Sequence, residues 1–179
     1  MPAWRRLGVL ERLRPRETAG WVWEVDLEGL AGRGIRGLVL DLDNTLVNWN
    51  SDHIRPEVSA WLDRAKRLGF SLCISSNAHS PRRVRRLSER LGTLCVTHAG
   101  KPRARAFTRP MEIMGTTPET TAVVGDQLFT DILGGNRAGV HTVLVRPLGW
   151  FEFPGTMISR LLERVVLALP ARPRSEESR

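Results

Sequence analysis

A chain of 179 residues is long enough to bury the core of one domain, and a hydrophobic fraction of 41% is ordinary for a soluble globular protein. No apolar run approaches the ~20 residues that span a bilayer, and the opening stretch MPAWRRLGVLERLRPRE is charged without the apolar core of a signal peptide, so a cytoplasmic location is expected. A net charge of +8 favours anionic partners, whether phosphorylated molecules, nucleic acid or an acidic membrane surface, without choosing among them.

Along the chain, Trp4, Leu7, Leu10 and Leu13 stand at near-helical spacing in a basic extension over residues 1–20, followed by a short arm over 21–30. Residues 35–42 form a nearly continuous apolar run, the pattern of a parallel strand buried on both faces. Pro56 opens a helical pattern through Val58, Trp61, Leu62, Ala65 and Leu68 that Gly69 ends. Strand patterns follow at 70–75, 93–97, 121–125 and 140–145, and helical ones at 81–91, 102–114 and 130–138. Strands alternating with helices predict βαβ units, hence an α/β fold with a parallel sheet of about five strands covered on both faces. Beyond them, Ile158, Leu161, Leu162, Val165, Val166 and Leu169 make one apolar helical stripe, and 171–179 reads as a disordered tail.

In such a sheet, ligands bind beyond the carboxyl ends of the strands. The notable polar residues gather there. Asp41, Asp43, Asn44 and Thr45 follow the first strand, Ser76 and Asn77 the second, Lys101 the third, and Asp126 with Asp131 the fourth. Lys101 and Lys66 are the only lysines among 27 basic residues. Cys73 and Cys95 sit in apolar segments, as buried reduced thiols do, and lack the spacing of a zinc site.

The strings LDLDNTLV, SSNA, KP and GDQLFTD resemble, in order, the four motifs of the haloacid dehalogenase (HAD) superfamily. With its longer strings DLDNTLVNW, GKP and GDQLFTDILGGNRAG, the chain is similar to the YqeG-type class IIIA phosphatases, a group related to phosphatidylglycerophosphate phosphatases. The resemblance spans about residues 20–165. It implies a Rossmann-like three-layer core, here over 21–170, and a Mg²⁺-dependent phosphatase. Asp41 would be the nucleophile and Asp43 the general acid and base. Asp41, Asp126 and the Asp43 carbonyl would hold Mg²⁺, which needs few carboxylates. Ser76, Asn77 and Lys101 would bind the phosphoryl group, Lys101 as a compact point charge. Asp131 would orient metal waters or Lys101.

Other residues leave two readings open. Thr45 either contacts phosphate or caps a turn. His53 and His79 read as surface residues rather than bases. Arg82, Arg83, Arg85 and Arg86 either steer an anionic substrate or form a solvated helix face. The Ile158–Leu169 stripe reads as core packing before membrane contact, and the basic N-terminal arm either packs on the domain or lies on an anionic membrane at the inner face.

HAD enzymes often insert a cap after the first or second motif. Only 32 residues separate Asp43 from Ser76 and 23 separate Asn77 from Lys101, each already holding a helix and a strand. No cap domain fits. An open rim suits a substrate whose bulk stays outside, above all a lipid headgroup such as phosphatidylglycerophosphate. The alternatives are a polynucleotide-end or sugar-phosphate phosphatase, or a module that binds phosphorylated ligands or a partner protein without turnover.

Overall fold

The computed structural model describes residues 9–149. Trp4, Leu7, the Ile158–Leu169 stripe and the 171–179 tail lie outside the described residues. Strand β2 (Gly37–Leu40) shows why its segment reads as an unbroken apolar run. Leu38 and Leu40 pack into one core with Leu72, Ile74, Ala122 and Val124, while Val39 packs into a second with Val123, Phe107 and Met111. Successive side chains point to opposite faces, and here both faces are covered.

Six parallel strands form the sheet in the order β1-β6-β5-β2-β3-β4, with β1 (Glu17–Ala19), β3 (Ser71–Ser75), β4 (Leu94–Val96), β5 (Thr121–Gly125) and β6 (His141–Val145). Short helices α1 (Val9–Arg12) and α2 (Leu27–Gly32) precede the longer α3 (Pro56–Arg67), α4 (Pro81–Leu91) and α5 (Arg105–Met114) and the short α6 (Leu133–Ala138). The larger core takes side chains from α2, α3 and α4, and the smaller from α5, giving three layers.

The sixth strand is the difference from the expected sheet. Among the described residues β1 pairs with β6 alone, as Glu17↔Val143 to Ala19↔Val145, and lies within the stretch read as the basic extension. Asn136 Nδ2 also donates to the carbonyls of Arg12 and Arg14 at 2.7 and 2.8 Å, so this end of the extension packs on the domain. Pro102 does not open a helix. Arg103 N bonds Gly100 O in a turn, and α5 starts at Arg105. Lys66 has a structural use: its Nζ donates 2.7 Å to Leu91 O and so caps the C-terminus of α4, where Gly92 adopts φ 61.

Among the described residues no cap domain interrupts the fold. Between β2 and α3 the chain makes only a tight loop, residues 43–54, folded by the isolated bridges Asp43↔Val47 and Val47↔Ile54. Trp49 stands 47% exposed on it. No helix among the described residues is long and apolar enough to cross a membrane.

Candidate active site

The register brings the motif residues together. Leu40 pairs with Ile74 on one side and Val124 on the other, so Asp41 emerges level with Ser75 and Gly125, and Asp126 and Ser76 follow one step later. The chain leaves β2 in one direction toward β3 and returns to β5 on the other side, which places the crevice above these three strand ends.

Asp41, Lys101, Asp126 and Asp131 are all buried there. Lys101 Nζ donates to Asp41 Oδ1 and, at 2.7 Å, to Asp131 Oδ1. One carboxylate oxygen from each of Asp41, Asp126 and Asp131 lies within 4.8 Å of the others. Asp131 reaches in from a wide turn at Leu128–Ile132 with π-helical bonding, an irregularity often found at functional sites. Its other oxygen accepts from Gln127 N at 3.2 Å. Gly125 makes room: a Cβ there would lie 2.4 Å from Asp131 Cγ, so a side chain at 125 would displace this carboxylate.

Three carboxyl groups crowd around one ammonium out of water. Burial pushes the Asp41 carboxyl up to about 7, against the pull of Lys101 and with the help of Asp131. Burial alone would push Lys101 down, but Asp131 and then Asp41 outweigh it, and its pKa rises. The donor set is all carboxylate oxygen, which fits a hard divalent cation.

Other expected residues are engaged in ways the sequence did not indicate. Asn77 holds the lysine loop: its Oδ1 accepts from Gly100 N at 2.8 Å and Lys101 N at 2.9 Å, and its Nδ2 donates to Lys101 O at 3.1 Å. One amide N–H remains for a ligand. Ser76 Oγ accepts from Ala78 N at 3.0 Å, which leaves its hydroxyl hydrogen to donate. Thr45 Oγ1 donates to Asp126 Oδ1 at 3.2 Å, so it orients that carboxylate. His53 and His79 are exposed. Cys73 is buried and its thiol is pushed up to about 12 by burial, as for an inert core thiol.

Asp43 is not one of the three clustered carboxylates and is held by Arg83 of α4 at 2.9 Å. Arg82, Arg85 and Arg86 are exposed, whereas Arg83 is buried. A signal for this existed in the spacing: Arg83 lies four residues before the core residue Leu87 and next to Val84, on the inward side of α4.

Residues 98–147 match the HAD-hydrolase-like family. The chain is 38% identical over 154 residues to the probable phosphatase YqeG of Bacillus subtilis (strain 168), covering 86% of this chain and 89% of that protein. It is 33% identical over 153 residues to the chloroplastic/mitochondrial phosphatidylglycerophosphate phosphatase 1 of Arabidopsis thaliana, covering 81% of this chain and 43% of that one. In fold it is similar to an uncharacterized protein from Listeria monocytogenes serotype 4b, with a TM-score of 0.53 at 20% identity over 67% of this chain and 85% of that one.

Proposed function

The chain belongs to the YqeG-type phosphatases of the HAD superfamily and is a phosphoric monoester hydrolase, and from that premise we propose a Mg²⁺-dependent reaction through an aspartyl-phosphate on Asp41. The observation that supports it most is the buried cluster itself, in which Asp41 is gripped by Lys101 and lies with Asp126 and Asp131 within 4.8 Å.

An Asp41 oxygen forms a bond to phosphorus as the bond to the leaving alcohol breaks, and Asp43 gives that alcohol its proton. Water then attacks phosphorus, Asp43 takes a proton from it, and the Asp41–phosphorus bond breaks to restore the carboxylate. Lys101, the Ser76 hydroxyl and the remaining Asn77 N–H hold the phosphoryl oxygens, so the work is positioning and charge stabilisation. Asp41, Asp126 and the Asp43 carbonyl would hold Mg²⁺, which would offset negative charge at the site and draw charge from the transferring oxygens. Both oxygens of Asp131 already have donors, which favours keeping it outside the metal's own ligands.

For the substrate we favour phosphatidylglycerophosphate. The capless rim leaves little to grip a small molecule, whereas a lipid headgroup keeps its bulk in the bilayer. The Arabidopsis relative carries that substrate in its name. A panel of lipid, sugar and polynucleotide-end phosphates tests this, run with EDTA and with Mg²⁺ restored. Chelation is expected to lower every rate at least tenfold and Mg²⁺ to recover it. The lipid phosphate in vesicles is expected to react faster than glycerol phosphate in solution. Equal rates on those two would remove the lipid substrate, and full activity in chelator would remove the metal.

A further inference from the structure

Among the described residues, the buried cations are Lys101 and Arg83, and the chemistry above uses only the first. Arg83 is 7% exposed. Its guanidinium grips Asp43 with two prongs, NH2 at 2.9 Å from Oδ1 and NH1 at 3.2 Å from Oδ2. NH2 also donates 2.6 Å to Ser51 O, and Nε lies 3.2 Å from Asp52 Oδ1, at ion-pair distance without hydrogen-bond alignment. The Asn50 amide completes the cradle with a 3.0 Å bond to Asp43 Oδ1. One side chain from α4 therefore fixes both the Asp43 carboxylate and the 43–54 loop that carries it.

A carboxylate oxygen accepts about two hydrogen bonds. Each Asp43 oxygen accepts one, Oδ1 from Asn50 N and Oδ2 from Arg83 NH1, and Oδ1 also lies at ion-pair distance from Arg83 NH2, so each keeps room for one more. We propose that Arg83 is a positioning residue for the reaction, its two-pronged hold on Asp43 fixing the orientation in which that carboxyl meets the departing oxygen. This rests on the reading of Asp43 as acid and base. A planar fork fixes the orientation of a carboxylate, which a lysine's single point contact does not. A displacement of about 1 Å at a reacting group can cost on the order of 10²-fold in rate.

The measurement is kcat/KM, which covers only the steps up to departure of the alcohol, on phosphate esters ranging from dinitrophenol to glycerol as leaving group. An acidic phenol leaves without help, and glycerol needs a proton. Arg83→Met is expected to lose about 10²-fold on the glycerol ester and less than about threefold on the dinitrophenyl ester. The second figure also reports that the variant is folded. Arg83→Lys is expected to show the same graded pattern, weaker, and it carries the test if Arg83→Met does not fold. Combined with Asp43→Asn, Arg83→Met is expected to add no further loss on the glycerol ester. A graded loss in Asp43→Asn with a uniform loss in Arg83→Met, or additive losses, overturns the role of Arg83 alone. A uniform loss in Asp43→Asn overturns the reading of Asp43 and the positioning role with it.

Discussion

Replacing Asp41 with Asn is expected to lower kcat by about 10³-fold or more and, in metal-stripped protein near pH 7, to leave the fold at least as stable as the parent. The first half follows from the proposed role of Asp41 as covalent nucleophile, which no other group at the site is expected to replace. The second follows from burial. The Asp41 carboxyl is pushed from 3.8 to about 7 in the folded chain. Between roughly pH 4 and pH 7 the folded protein then keeps a proton that the unfolded chain has released, so its stability falls as pH rises through that window and levels off above it. Asn carries no such proton. Thermal melting of the metal-stripped proteins at pH 5 and pH 7.5 should show a larger drop for the parent, where each kcal/mol is worth about 2–4 °C. Adding Mg²⁺ should shrink the parent's drop. Turnover above about 1% in the variant, or equal drops in both proteins, would contradict the placement of Asp41.

Lys101→Met acts on the same cluster from the other side and should damage both activity and stability. Asp41 and Asp131 would lose their shared ammonium, and breaking a buried ion pair by removing one partner costs about 3–5 kcal/mol. Because its pKa is raised, Lys101 stays charged at all working pH, and its contribution to stability is lost only above its ordinary value of 10.5. The stranded carboxylates can take up protons in acid, so the destabilisation should be larger at pH 8 than at pH 5. The rate should fall by about 10²–10³-fold, the usual effect of deleting one stabilising donor. Lys101→Arg should recover stability better than rate, since a planar fork does not fit a point contact shared by two carboxylates. A Lys101→Met protein that melts like the parent at pH 8 would show that the pair contributes nothing.

The clustering of the candidate site residues was legible because strand ends mark themselves. An apolar run such as 37–40 stops where polar residues begin, and the parallel register then sets Asp41, Ser76 and Asp126 side by side. What stayed hidden was polar and buried. Arg83 was one of four arginines in five positions, and composition alone does not separate a guanidinium locked on Asp43 from the solvated Arg82, Arg85 and Arg86. Asn77 read as a phosphate donor, yet most of its amide holds the Lys101 loop, through partners 23 and 24 residues away. Strand β1 is three residues long, Glu-Thr-Ala, with one neighbour and no apolar alternation, so only the pairing with β6 reveals it.

The most direct test is to trap the covalent intermediate. With a dinitrophenyl ester the first step needs no acid, while the second needs Asp43 as base, so Asp43→Asn should accumulate phosphoenzyme. Acid quench, borohydride reduction of the acyl phosphate and peptide mapping should then find homoserine at position 41. Phosphate released in the same experiment with position 41 unmodified, or with the modification on another carboxylate, would contradict an aspartyl-phosphate on Asp41.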